Sequence, residues 1–142
     1  MEDLESIYTD VIMENSIKTH NKYKLIDKDK EEHGHNPSCG DDITLQVKFD
    51  GDMISKISYI GHGCAISIAS TNIMIDLLKG KTKKEAIKLI DSFLKMVNGD
   101  KIEDDELAKI GDARAFKNIS KIPARVKCAT LAWETMKRVL ES

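Results

Sequence analysis

One hairpin signal constrains the fold of this chain more than any other feature of its sequence. Between residues 43 and 49 apolar side chains alternate with polar ones, which predicts a strand with one buried face. Asp50-Gly51 follows, a pair that favours the tight turn of a β-hairpin. The returning run, from Met53 to Ile60, carries apolar residues at both parities, which indicates a strand buried on both faces or interrupted by a bulge. We therefore expect an antiparallel strand pair here.

Helical patterns occupy much of the remaining sequence. Apolar residues recur at three- and four-residue steps over residues 2–18, and a second helix is predicted from Cys64 to about Lys79. The run from Thr82 to Glu85 is a capping box that begins a further helix, which Asn98-Gly99 ends. A last helix is predicted to start near Pro123, because proline suits the first helical turn.

Three segments lack a regular pattern. Residues 18–32 are polar without a clear period, which indicates a solvated loop or a short helix. The run from His33 to Gly40 contains two glycines and a proline, so we expect no regular element there. Within residues 100–122, which begin with an acidic cluster, we expect only short helical turns.

Composition and charge exclude several classes of function. The formal net charge is −2, from 22 Lys and Arg against 24 Asp and Glu, so we do not expect the basic surface of a nucleic-acid-binding protein. The most apolar stretch, residues 64–78, is interrupted by polar side chains and is too short to cross a membrane. The acidic run from Met1 to Glu5 differs from a targeting segment. We expect a single domain over residues 1–142, in the cytoplasm, with no nucleic-acid or membrane partner.

Three cysteines lie at predicted element boundaries. Cys39 is in the Gly/Pro loop before a strand, Cys64 begins a helix, and Cys128 is in the first turns of the last helix. A reducing compartment keeps such an odd set as free thiols. Asp41 lies two residues beyond Cys39, close enough to share a metal ion with it. Three thiolates and one carboxylate form a candidate tetrahedral zinc site.

Other interpretations of these residues remain open at this point. His62, two residues before Cys64, competes with Asp41 as the fourth ligand. The other three histidines lie in polar sequence and are expected to be exposed: His20, His33 and His35. Thiolate ligands also suit iron–sulfur clusters, and Cys128 taken alone fits a small buried apolar residue.

Three blocks of sequence resemble one known family. They are residues 36–42 (NPSCGDD), 59–70 (YIGHGCAISIAS) and 123–133 (PARVKCATLAW). Together they are specific, and the match extends from residue 4 to residue 140. By these blocks the chain is identified as a member of the IscU-like superfamily. That resemblance implies an α+β fold in which a small antiparallel sheet packs against several α-helices.

Within that superfamily the chain is similar to the SufU branch. Lys127 stands immediately before Cys128, where the scaffold branch typically has a histidine, and the separation between Cys64 and Cys128 is longer than in the scaffolds. The resemblance implies a zinc-dependent sulfurtransferase. Such a protein accepts persulfide sulfur as co-substrate of a SufS-type cysteine desulfurase and passes it toward iron–sulfur cluster assembly and its scaffold proteins.

The resemblance also implies roles for particular residues. Zinc ligands fall on Cys39, Asp41, Cys64 and Cys128, and the sulfur acceptor on Cys39. Arg125 lies one turn before Cys128 on the same helix face, where it either balances the negative charge of the site or is an ordinary surface arginine. The alternative function is a scaffold on which a [2Fe–2S] cluster is assembled and passed to apo-proteins.

Overall fold

The computed structural model describes residues 4–142. The predicted helix over residues 2–18 is therefore seen from residue 4, and its first two positions lie outside the described residues. The elements in chain order are α1 (Leu4–Ser16), β1 (Lys30–Asn36), β2 (Asp41–Asp50), β3 (Met53–His62), α2 (Ala65–Leu78), α3 (Lys83–Val97), α4 (Asp104–Lys109), two 3-10 turns (Gly111–Phe116 and Ile119–Lys121) and α5 (Pro123–Glu141).

The three strands form one antiparallel sheet in the order β1-β2-β3. The β2–β3 pair is the hairpin expected around Asp50-Gly51. Its register shifts, because Lys48 pairs with Lys56 whereas Phe49 pairs with Ile54. The extra residue on β3 is a bulge, and it turns apolar residues of both parities into the core, which confirms the bulge interpretation.

Strand β1 corrects the sequence analysis. The sequence predicts a solvated loop or a short helix over residues 18–32 and no regular element over residues 33–40. Over residues 30–36 both predictions are wrong, because these residues pair with β2 throughout. Gly34 lies on the inner face, where an added Cβ would overlap the Thr135 hydroxyl of α5. The glycine that suggested a loop is thus required by the close approach of strand and helix.

Helices α2 and α5 pack on the inner face of the sheet, and α3 packs against α5. At the centre, the Trp133 ring stacks on Phe93 with centroids 3.8 Å apart and planes 7° apart. Trp133 Nε1 donates to the Ser70 hydroxyl at 2.8 Å. One aromatic side chain therefore connects α2, α3 and α5 in the core.

The helix ends follow the predicted signals closely. Thr82 Oγ1 accepts from the Glu85 amide at 3.1 Å while Glu85 Oε1 accepts from the Thr82 amide at 3.0 Å, which confirms the capping box. Cys64 is the N-cap of α2 and so lies just outside the helix that it was expected to begin.

Over residues 4–142 we find no helix with both the length and the apolar character needed to span a membrane.

Candidate metal centre

Four elements meet around one small group of polar side chains. Cys39 lies in the turn between β1 and β2, Asp41 begins β2, Cys64 caps α2, and Cys128 lies in the second turn of α5. The Cys39 Sγ, the Cys128 Sγ and a carboxylate oxygen of Asp41 all lie within 4.8 Å of one another. The Cys64 Sγ accepts a hydrogen bond from the Ser67 amide at 3.4 Å and stands outside this close group. The fold therefore brings together three of the four residues that were predicted as ligands, and the fourth, Cys64, contacts the group through the hydrogen bond of its amide to Asp41.

The carboxylate of Asp41 is fully buried. Its Oδ1 accepts a hydrogen bond from the Cys64 amide at 2.9 Å, and its Oδ2 accepts one from Asn36 Nδ2 at 3.4 Å. Among the ion pairs of the described residues, Asp41 has no cationic side-chain partner. Because a buried carboxylate without a compensating charge is costly, this position suits a bound cation.

Gly63 lets the backbone pass close to the Asp41 carboxylate. A Cβ on Gly63 would lie 2.8 Å from Asp41 Oδ1 and 3.1 Å from the Ser67 hydroxyl. The strand-to-helix connection can pass this close to the carboxylate because residue 63 has no side chain. The backbone amide of the next residue, Cys64, is thereby within hydrogen-bonding distance of Asp41.

The three thiols differ in their exposure to solvent. Cys128 is buried, whereas Cys39 and Cys64 are half-buried. Burial raises the pKa of the Cys128 thiol well above its ordinary value, and the neighbouring Cys39, Cys64 and Asp41 raise it further. A cation bound beside this thiol would favour the thiolate.

The donor set fits a tetrahedral zinc ion. Zinc binds thiolate sulfur at about 2.3 Å, which places the ligand atoms of a tetrahedron about 3.8 Å apart. The ligand atoms of Cys39, Asp41 and Cys128 lie within 4.8 Å of one another. A small movement of their side chains would bring these atoms to the tetrahedral distance. Thiolates are also the ligands that select zinc or iron–sulfur clusters over hard cations.

Arg125, for which the sequence left two roles open, lies beside the Cys39 thiol. Its Nη1 is 3.9 Å from the Cys39 Sγ, within hydrogen-bonding distance for sulfur. A hydrogen bond to Cys128 and the attraction of the Cys39 and Cys64 thiols raise the pKa of the guanidinium. The arginine is exposed, so it is positioned to meet a molecule that approaches Cys39 from solvent.

His62, the competing fourth ligand, is not part of the close group. It is exposed, and its Nδ1 donates to the Gly40 carbonyl at 3.1 Å. The other three histidines, His20, His33 and His35, are exposed as expected.

Asn36 is a site residue that sequence reasoning missed. It is buried, and its Nδ2 reaches both Asp41 Oδ2 and the Cys128 Sγ, the latter at 3.8 Å. One amide group therefore links a strand residue to a helix residue across the site. The available signal was its place at the start of the NPSCGDD block.

The model of the NifU-like N-terminal domain matches residues 7–142 of this chain. The chain belongs to that family. The membership in the IscU-like superfamily inferred from the three sequence blocks is thereby confirmed.

Relatives of this NifU-like N-terminal domain carry two kinds of name. An iron–sulfur cluster assembly scaffold protein IscU of Streptococcus pyogenes is 39% identical over 138 residues, covering 97% of this chain and 85% of the relative. A zinc-dependent sulfurtransferase SufU of Bacillus subtilis is 38% identical over 136 residues, covering 96% and 90%.

Solved structures of the family agree with the fold. A crystal structure described as an iron–sulfur cluster assembly scaffold protein for the SUF system, from Fervidobacterium islandicum, superposes with a TM-score of 0.88 at 40% identity, covering 96% of this chain and 98% of that one. A NifU-like N-terminal protein from Brucella abortus reaches a TM-score of 0.84 at 19% identity, covering 97% and 94%, and shows the shared fold alone. The expected α+β fold is confirmed.

Proposed function

We propose that this chain carries sulfur for iron–sulfur cluster assembly, as a single domain over residues 1–142. It accepts persulfide sulfur from a SufS-type cysteine desulfurase, and Cys39 is the acceptor. One observation carries the choice of Cys39: of the three thiols it is the one held by a turn, half-buried and beside the exposed Arg125. The name of the Bacillus subtilis relative, a zinc-dependent sulfurtransferase, supports the same function.

The proposed metal is zinc, with Cys39, Asp41, Cys64 and Cys128 as its ligands. When bound, zinc would keep the thiols deprotonated without redox chemistry of its own. Two observations support this assignment: the Asp41 carboxylate is buried without an ion-pair partner among the described residues, and its oxygen lies within 4.8 Å of the Cys39 and Cys128 sulfurs. The residues around the ligands hold their geometry, above all Asn36 and the Cys64 amide.

The transfer step balances without an external oxidant or reductant. The Cys39 thiolate attacks the outer sulfur of the persulfide on the desulfurase. A new S–S bond forms on Cys39, the S–S bond of the donor breaks, and the donor cysteine leaves as a thiolate. The terminal sulfur keeps its proton, so Cys39 ends as a persulfide and the sulfur keeps its oxidation state.

Arg125 is proposed to position the incoming persulfide. Its guanidinium is exposed and 3.9 Å from the Cys39 Sγ. A fixed cation there stabilises the negative charge as it moves from the Cys39 thiolate to the departing cysteine of the donor during transfer. The approach of sulfur from solvent requires no movement of the helices.

A scaffold for a [2Fe–2S] cluster is the second candidate. The Streptococcus pyogenes relative, which is 39% identical to this chain, is named a scaffold protein. Cysteine thiolates are the usual ligands of iron–sulfur clusters as well as common ligands of zinc. Lys127, beside Cys128, is exposed and supplies no further ligand. Purified protein distinguishes the two: a colourless zinc protein agrees with the carrier, and visible absorption from a cluster supports the scaffold.

Metal analysis tests the ligand set directly. We expect one tightly bound zinc per chain after dialysis against a weak chelator. Asp41→Asn and Cys128→Ala should lose it, because each removes a proposed ligand, and Cys128→Ala should also lose stability since the metal stabilises only the folded chain. Asp50→Asn, at the exposed far end of the same strand, should keep it. Full zinc content in Cys128→Ala would refute the assignment.

Mass spectrometry after a brief reaction with a SufS-type desulfurase and cysteine tests the acceptor. We expect one added sulfur on Cys39, and no transfer to Cys39→Ser or to the protein stripped of zinc. Sulfur found on Cys64 or Cys128 would contradict the mechanism. So would a Cys39→Ser variant that stimulates the desulfurase as wild type does.

The role of Arg125 is tested by charge reversal. Arg125→Glu should slow transfer to Cys39 far more than Lys88→Glu, because Lys88 lies on the exposed face of α3, away from the four ligands. Arg125→Lys should recover part of the rate, since it restores the charge without the planar fork. Equal rates in the two reversal variants would show that Arg125 is ordinary surface.

A further inference from the structure

Ser67 carries a buried hydroxyl to which the proposed function gives no role. The residue lies in the first turn of α2 and is 1% exposed. Within residues 4–142 its Oγ has no hydrogen-bond partner. Burying a hydroxyl without a partner costs free energy, so the surroundings of this group were searched for an acceptor that it can serve.

The N-cap of α2 explains why this hydroxyl is unpaired. The thiol of Cys64, the N-cap residue, accepts from the Ser67 amide at 3.4 Å. In a capping box the side chain of that third helical residue accepts from the N-cap amide in return, as Glu85 does at the start of α3. At α2 the Cys64 amide donates instead to Asp41 Oδ1 at 2.9 Å. The Asp41 carboxylate has thus replaced the Ser67 side chain as acceptor, and the Ser67 hydroxyl keeps a proton to donate.

The Ser67 hydroxyl and the Asp41 carboxylate are close neighbours across Gly63. A Cβ on Gly63 would lie 2.8 Å from Asp41 Oδ1 and 3.1 Å from Ser67 Oγ. Helical side chains tilt toward the N-terminus of their helix, which is where this carboxylate lies. Each oxygen of an ionised carboxylate has room for about two hydrogen bonds. Among the described residues Oδ1 receives one, from the Cys64 amide, so its second acceptor position is open to Ser67.

The other carboxylate oxygen of Asp41 lies on the side of the thiols. The Asn36 amide that donates to Oδ2 also donates to the Cys128 Sγ, whereas Oδ1 is held at the start of α2. The two oxygens therefore have different surroundings. A tetrahedral zinc ion with three thiolate ligands has one position left, which a single carboxylate oxygen fills.

We propose that Ser67 is a positioning residue of the metal centre, whose hydroxyl donates to Asp41 Oδ1 when the carboxylate binds the metal. Together with the Cys64 amide, this hydrogen bond holds Oδ1 and leaves Oδ2 as the single oxygen that Asp41 offers as a ligand. Hydrogen bonds to a ligating carboxylate fix its orientation in this way. The inference rests on the zinc ligands proposed above.

Zinc affinity and stability together test the role of Ser67. Ser67→Ala should weaken zinc binding by about 10-fold to 100-fold, the value of a hydrogen bond that orients a ligand, measured by competition with a chromophoric chelator. In urea the metal-free variant should be as stable as wild type or more stable, because the hydroxyl that it lacks has no partner. A hydroxyl that only fills space would leave the affinity unchanged.

Co²⁺ in place of zinc reports the coordination geometry. Tetrahedral Co²⁺ absorbs visible light more strongly than five-coordinate Co²⁺. Without the Ser67 hydrogen bond the carboxylate is free to turn and ligate through both oxygens. The visible absorbance per bound Co²⁺ should therefore be lower in Ser67→Ala than in wild type.

Ser58→Ala is the matched control. Ser58 is also a buried serine whose hydroxyl has no partner within the described part of the chain, but it lies in the middle of β3. This variant should keep the zinc affinity and the Co²⁺ absorbance of wild type.

Two results would overturn the role of Ser67 alone: wild-type affinity and absorbance in Ser67→Ala, or equal losses in Ser58→Ala. Loss of metal in Asp41→Asn would then show that the proposed ligand set still stands. A wild-type protein that binds no metal would overturn both the ligand set and this inference.

Discussion

At the scale of single residues, Asn36 shows how one amide organises a site. It donates to Asp41 and reaches Cys128, which are 87 residues apart in sequence but adjacent in space. An outer-shell partner of this kind orients the ligands and is worth about 10–100-fold in metal affinity. We therefore expect Asn36→Ala to weaken zinc binding by that factor, measured by competition with a chromophoric chelator.

The matched control for Asn36 is Asn118→Ala. Asn118 is exposed and makes no side-chain capping bond, so zinc affinity should not change. Asn36→Leu should weaken binding about as much as Asn36→Ala, because it keeps the side-chain volume but also removes the amide donor. Wild-type affinity in both Asn36 variants would mean that the amide only fills space.

At the scale of secondary structure, the capping box of α3 has a definite energetic value. Thr82 and Glu85 satisfy two amides that the helix itself leaves unpaired. Thr82→Ala should lower the free energy of unfolding by about 1 kcal/mol, the usual value of an N-cap. Urea unfolding measures it, with Lys84→Ala, an exposed position in the same first turn, as a control within about 0.5 kcal/mol of wild type.

The same capping box predicts a pH dependence. Its hydrogen bonds with Thr82 lower the pKa of the Glu85 carboxyl below the ordinary 4.5. The unfolded chain thus binds the proton more readily, so the stabilisation is complete above pH 4.5 and is lost as the pH falls through the lowered value. Glu85→Gln should reduce the slope of stability against pH on this acid side. An identical slope in both proteins would contradict the assignment.

Strand β1 shows which elements local patterns cannot reveal. Its inner face carries Glu32, Gly34 and Asn36, so no apolar alternation marks it as a strand. Its stability comes from pairing with β2 and from the close contact of Gly34 with α5. The pairing follows from the neighbouring strand rather than from the residues of β1 themselves, and the α5 contact, Thr135, lies 101 positions from Gly34 in the sequence.

At the scale of the whole molecule, Ser70 joins helices α2 and α5 at the core. Its hydroxyl donates to the Ala129 carbonyl at 2.6 Å and accepts from Trp133 Nε1 at 2.8 Å. Ser70→Ala leaves the buried indole N–H without its acceptor, which costs about 1–3 kcal/mol. Denaturant unfolding followed by the fluorescence of Trp133, the single tryptophan of the sequence, measures the loss.

Ser58→Ala is the matched control for Ser70. Ser58 is equally buried, yet within the described residues its hydroxyl has no hydrogen-bond partner. Removing that hydroxyl should therefore leave stability unchanged or raise it. Equal losses in the two variants would show that the Ser70 bonds add nothing beyond side-chain volume.

The sequence by itself determined the features that depend on neighbouring residues. The β2–β3 hairpin, the capping box and the last helix all follow from periodicity and turn or cap chemistry within a few residues. The ligand candidates Cys39, Asp41, Cys64 and Cys128 were recognised by residue type and by their places at element boundaries, because soft metal chemistry limits the residues that can take part.

The tertiary structure alone decided what depends on contacts between distant segments. It made a strand of residues 30–36, brought the Asn36 amide between Asp41 and Cys128, and left His62 outside the close group of ligand atoms. It also turned His33 and His35 to one exposed face beside Asp42. The physical reason is the same in each case: strand pairing and helix packing set these positions, and both join residues that no local sequence pattern relates.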